Sequence, residues 1–107
     1  MEKVFRALAD RHRRGLLDRL FEEDGQTLGD LCAGEAITRQ AVSKHLHVLE
    51  SAGLVVTLWV GREKRHYLNP VPIQEIGDRW IAKYARRRLR AVSALRNALE
   101  EERDEST

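Results

Sequence analysis

The chain has 107 residues, 42% of them hydrophobic, 34% charged and only 6% aromatic, which leaves room for one domain with a small aliphatic core and excludes a second. Its formal charge of +2 hides a split: residues 100–105 hold five acids and one arginine, leaving 18 basic against 12 acidic residues elsewhere, so a basic body suited to a polyanion carries an acidic end. The single cysteine, Cys32, excludes an intramolecular disulfide and a cysteine-only metal cluster, and the absence of a signal-like apolar start or bilayer-length run makes a soluble, cytoplasmic protein without a membrane partner the expectation.

Val4, Phe5 and Leu8 mark a short first helix. Asp10 is placed to cap a second, whose apolar positions Leu16, Leu17, Leu20 and Phe21 share a face and which Asp24-Gly25 ends. Thr27 followed by Asp30 reads as a capping box opening a short third helix with Leu28, Leu31 and Cys32 inward. After the tight turn Gly34-Glu35-Ala36-Ile37, Thr38 caps a fourth helix with Val42, His45, Leu46 and Leu49 on one side and Gly53 just past its end. Two helices joined by so short a turn make a helix-turn-helix.

From Leu54 to Val60 the β-branched and aromatic content rises, Gly61-Arg62-Glu63 can turn, and Lys64 to Asn69 alternates again, so a β-hairpin is expected. Pro70 and Pro72 end it. One long amphipathic helix should then run to about Glu102, and the acidic residues 103–107 are expected as a disordered tail. The fold class is therefore mainly α with a small hairpin, in the order α-α-α-α-β-β-α: a single winged helix-turn-helix domain over 1–107, dimeric through its terminal helices.

The outer face of the fourth helix carries Gln40, Ser43, Lys44 and His47 at i, i+3, i+4 and i+7. Such a face, polar, cationic and narrow, fits the major groove of double-stranded DNA, where Lys or Arg donates to guanine and Gln pairs with adenine. Thr38, Arg39, Gln40, Ser43, Lys44 and His47 are the candidate contacts on this helix. Arg62, Lys64 and Arg65, with His66, are the candidates on the hairpin, where reach to phosphates adds affinity more than sequence information. Any surface helix shows polar residues opposite an apolar stripe; the order short helix, tight turn, basic helix, basic hairpin is what favours DNA.

These segments resemble the ArsR family of bacterial repressors: Ala7-Leu8-Ala9-Asp10 leading to Arg13-Arg14 and a leucine-rich helix, Ala41-Val42-Ser43-Lys44-His45-Leu46, Leu49, Ala52-Gly53-Leu54-Val55, and Gly61-Arg62 before Tyr67-Leu68. The resemblance spans residues 3–100. It implies a dimeric winged helix that represses a promoter, often its own, and frequently releases DNA when an inducer binds. It also implies places to look for a metal: two cysteines one residue apart on the helix before the recognition helix, or Asp and His pairs on the last helix. Here Cys32 stands at the first cysteine position, Gly34 at the second, and no histidine follows His66. No built-in metal site and no cofactor are expected, and the small-molecule inducer is not identified.

The remaining residues take ordinary roles first. His45 is expected as a packed helix residue, His12 as part of a basic helix start, His47 and His66 on the DNA surface, and Cys32 as a small buried side chain. The seam Trp80, Tyr84, Val92, Leu95 and Leu99, with Phe5 and Leu8 of the first helix, is longer than one small domain can cover and is assigned to the dimer interface. Arg86, Arg87, Arg88 and Arg90 read as a solvated face unless they meet a partner's acidic tail or flanking phosphates. No acid-base pair, phosphate-cradling loop or ligand spacing points to an enzyme. The competing functions are a winged helix for protein assembly, which should expose aromatic or aliphatic anchors on its reading face, and a thiol-based sensor using Cys32.

Overall fold

Three helices begin where a short polar side chain, Asp10, Thr27 or Thr38, receives otherwise unpaired amide hydrogens, whereas the first starts at Met1 without such a cap. The computed structural model describes residues 1–105 and has α1 at Glu2–Leu8, α2 at Arg11–Glu22, α3 at Leu28–Ala33 and α4 at Arg39–Ser51. Asp10 Oδ1 accepts from the amides of His12 (2.8 Å) and Arg13 (3.2 Å) at the head of α2. Thr27 and Asp30 form the expected reciprocal box, with Asp30 N donating to Thr27 Oγ1 at 3.2 Å and Thr27 N to Asp30 Oδ2 at 3.1 Å. Thr38 Oγ1 takes the Ala41 amide at 3.1 Å. Each cap stabilises a helix too short to persist on propensity alone.

The hairpin follows directly. Strand β1 (Val55–Val60) pairs antiparallel with β2 (Glu63–Leu68), in a register that sets Val55 opposite Leu68 and Val60 opposite Glu63. Gly61, at φ +62°, is the first of the two turn residues, the place where a hairpin loop with the right twist needs a positive φ. At its open end the hairpin is tied to the body: Gly25 N donates to His66 O at 2.8 Å, His66 N to Gln26 O at 2.9 Å, and Leu68 N to Asp24 Oδ1 at 2.8 Å.

Two compact units make up the chain, Met1–Ile73 and the residues from Gln74 onward. The first holds the core: Leu16 and Leu20 of α2, Leu31 of α3, Val42 and Leu49 of α4, and Leu54 are fully buried, with Val4, Ala7, Leu17, Leu46 and Val55 around them. Its buried apolar side chains are all aliphatic, with Gln26 and His66 as buried polar residues beside them. Phe21, expected on the inward face of α2, is instead 78% exposed, because it lies at the edge of the Leu17 side rather than on the Leu16–Leu20 line. It rims an apolar groove of about 400 Å³ with Leu8, Leu17, Leu68 and Ile73.

Beyond β2 the sequence suggests one helix, and the structure interrupts it. Helix α5 (Val71–Ile76) passes into a π-helical turn at Gly77–Ile81, then into α6 (Ala82–Glu105). A π turn takes in one extra residue, which rotates everything after it by roughly 100° about the helix axis. The helix also runs further than expected. Arg103, Asp104 and Glu105, assigned from sequence to a disordered tail, are helical; residues 106–107 lie outside the described residues. Among the described residues no helix is long and apolar enough to cross a membrane.

Candidate nucleic-acid interface

The mounting of α4 starts with two arginines of α2. Arg19 closes the end of α3: its guanidinium donates to the carbonyl of Leu31, to Asp30 O at 2.9 Å and to Glu35 Oε1 at 3.4 Å. A cation there satisfies carbonyls that a six-residue helix leaves unpaired, and it fixes the turn leading to α4. Gly34 is part of this arrangement, since a Cβ on it would come within 2.7 Å of Arg19 Cζ. Position 34, where the resemblance implies a second cysteine in a metal site, is therefore crowded by the Arg19 guanidinium. Cys32 is half-buried rather than fully buried.

Arg13 joins three helices. Its Nε and Nη2 donate to Ala7 O and Arg6 O of α1, both at 2.8 Å, while Nη1 lies 3.2 Å from His45 Nδ1 on α4. A guanidinium only donates, so Nδ1 of His45 accepts and the ring proton belongs on Nε2. The His12 ring stacks on the same imidazole, with centroids 5.7 Å apart. His45 is thus held between α2 and α4 as the sequence suggests. Beside it, desolvation would raise the Asp10 carboxyl, but the amides of Arg13 and His12 outweigh it and, with the positive charge of the Arg13 guanidinium, hold the group below its ordinary value of 3.8. Asp30 is lowered as well, chiefly by its hydrogen bonds from the Thr27 amide and hydroxyl.

So held, α4 presents a clean division of faces. Val42, Leu46 and Leu49 are buried, while Thr38, Arg39, Gln40, Ser43, Lys44 and His47 are exposed. Among the described residues Arg39 and Lys44 make no ion pair, so both are open to an incoming anion or base edge.

The hairpin differs from its sequence reading at three positions. Arg65 is not a free cation: its Nη1 donates to Gly25 O at 3.0 Å and its Nη2 to Glu63 Oε2 at 2.7 Å. Neither does His66 belong to the surface. It is 4% exposed, with Nδ1 2.9 Å from Gln26 O, because alternation along β2 turns it toward the core. Lys64 is half committed, its Nζ 3.6 Å from Glu50 Oε1 on α4. Arg62, next to Gly61 at the tip, is exposed. Sequence reasoning missed Trp59, which is 70% exposed directly opposite Lys64. The signal was present, an aromatic one residue from the turn paired across the hairpin with a cation.

On the seam assigned to a partner copy, Phe5 is exposed and Leu8 half-buried. In the second unit Trp80 is half-buried with the Arg79 guanidinium 5.2 Å from its ring centroid, and Tyr84, Val92, Leu95 and Leu99 are each more than half exposed. Arg86, Arg87, Arg88 and Arg90 are exposed.

Short helix, capped turn, exposed basic helix and hairpin together define a winged helix-turn-helix. Residues 8–57 match a family model described as a helix-turn-helix domain. The chain is 38% identical over 86 residues to the HTH-type transcriptional regulator YuzN of Bacillus subtilis (strain 168), covering 75% of this chain and 94% of that protein. It is 32% identical over 75 residues to the transcriptional repressor SdpR of the same organism, covering 70% and 82%. Among solved structures, an ArsR-like transcriptional regulator from Rhodococcus sp. RHA1 superposes with a TM-score of 0.73 at 31% identity, over 91% of this chain and 90% of that one. The chain belongs to the ArsR family of winged helix-turn-helix transcriptional regulators.

Proposed function

We propose that this regulator is a repressor that binds a near-palindromic operator as a homodimer, its own promoter being a natural candidate. One observation carries the reading: Arg39, Gln40, Ser43 and Lys44 lie exposed on one helix whose opposite side is pinned by three buried aliphatic residues. A rigid mount is what base readout needs, since hydrogen bonds to base edges discriminate only when side chains arrive in fixed register. Gln40 and Lys44 read adenine and guanine edges, with Arg39, Ser43 and Thr38 beside them at the helix start. His47 and Arg62 approach the backbone, Lys64 does so only as far as Glu50 releases it, and Arg65 serves the hairpin's own structure.

Repression is supported by the likeness to SdpR. Dimerisation is supported by the uncovered row on α6, with Phe5 and Leu8 of α1 and Trp80 assigned to the same interface. A two-fold dimer places its half-sites about one helical turn apart, roughly 10 base pairs, or a multiple of it. The donor set speaks against a built-in metalloid site, because one thiolate per chain is poor for ions that bind through several sulfurs. Titration with zinc and with arsenite should therefore show no tight stoichiometric site; a site of one ion per protomer would overturn that part.

A protein-assembly role has one observation in its favour, the exposure of Leu58, Trp59 and Val60 in succession on β1. The alanine triple R39A/Q40A/K44A separates the two. Measured by fluorescence anisotropy on a duplex recovered from a random pool by the wild type, it should lose most specific binding. Undiminished affinity would overturn the assignment of α4 as the reading element.

A further inference from the structure

His47 has a shallow cavity on either side, and the two differ in charge. Toward the wing, about 270 Å³ is lined by Ser43, His47, Glu50, Lys64 and His66, and there Glu50 takes up the Lys64 ammonium at 3.6 Å. That wall is close to neutral. On the other side, about 210 Å³ is lined by Lys3 and Arg6 of α1 together with His47, Val48 and Ser51 of α4. No acid lines it, Glu2 and Glu50 included, and among the described residues neither Lys3 nor Arg6 is in an ion pair.

The position of these two cations is set by the fold. Val4 and Ala7 bury one side of α1, which leaves Lys3 and Arg6, three apart, as neighbours on the outside. Arg13 fixes the end of α1 through the carbonyls of Arg6 and Ala7 and reaches His45 of α4 with its remaining nitrogen. The helix bearing the cations and the helix bearing the reading ridge are therefore joined through one side chain.

We propose that Lys3 and Arg6, with His47, form a phosphate anchor for the DNA strand bordering the groove that α4 enters, so that the recognition helix is flanked by α1 as well as by the wing. The inference rests on the DNA-binding reading above. It makes α1 a contributor of affinity without sequence preference, since phosphate contacts set register and carry no base information.

The salt dependence of binding tests it, on a random-sequence duplex of about three helical turns, roughly 30 base pairs. Each phosphate contact contributes about 0.9 to the slope of log Kobs against log salt. K3Q/R6Q should lower that slope by about 1.8 per bound protomer, and K3Q alone by about half as much. The charge-preserving pair K3R/R6K should keep the wild-type slope. Sedimentation velocity on each variant reads its oligomeric state. A K3Q/R6Q protein with the wild-type slope, or an equal fall in K3R/R6K, would overturn the anchor. Wild-type protein that binds no duplex at all would instead remove the DNA-binding reading and the anchor with it.

Discussion

Arg19 and Arg13 illustrate what a single side chain does in this molecule. Arg19 substitutes for a helix cap at the end of α3, and removing it leaves the half-buried Leu31 carbonyl without this donor and Glu35 without its cation. Arg19→Ala is expected to lose about 1–3 kcal/mol in urea unfolding, and Arg19→Lys to recover little of it, because an ammonium cannot reproduce the fork. Thr38→Ala, which removes the cap on α4, should cost about 1 kcal/mol by the same measurement. Asp10 and Asp30 both have folded-state values below the ordinary 3.8, so their stabilisation is fully present above that pH and is lost as the pH falls through the lower folded values. Acid titration of stability should show that loss below about pH 4, less steep in Asp30→Asn; a variant curve parallel to the wild type would contradict it. The caps were legible from sequence because they act between residues two or three apart. The arginine clamps were not, since a bond from Arg19 to Leu31 or from Arg13 to His45 leaves no periodic trace.

At the level of elements, the division of α4 was fully legible, because helical spacing alone separates Val42, Leu46 and Leu49 from Gln40, Ser43 and Lys44. The wing was legible as a hairpin but not in its facing. Alternation says that neighbours point to opposite sides; only the body beneath β2 decides that His66 goes inward and that Arg65 finds the Gly25 carbonyl. The two elements should separate functionally. Lys44→Ala or Gln40→Ala is expected to cost about 1–3 kcal/mol and relax preference at one base position, whereas Arg62→Ala should weaken all sequences evenly. Competition binding against single-base operator variants distinguishes these outcomes, and an even loss in Gln40→Ala would move that residue from base to backbone. The π turn at Gly77–Ile81 escaped sequence reading because apolar residues at 73, 76, 80, 81 and 84 suit an uninterrupted helix equally well.

At the scale of the molecule, two facts go together: an aliphatic core confined to residues 1–73 and a helix α6 with Leu89, Val92, Leu95 and Leu99 all more than half exposed. A row of that kind is costly to leave in water and calls for a second copy. Leu95→Glu would bury an unpaired carboxylate from each chain, about 3 kcal/mol or more, enough to weaken association roughly 100-fold in sedimentation equilibrium. An unchanged dimer would place the interface elsewhere. Whether two copies read DNA through α4 is decided by selecting duplexes from a random pool with the wild-type protein and sequencing what is retained. The expected result is an enriched near-palindrome with half-sites about 10 base pairs apart, or a multiple of that, and no enrichment with R39A/Q40A/K44A. Retained duplexes without a shared motif, or the same motif with the triple variant, would contradict it.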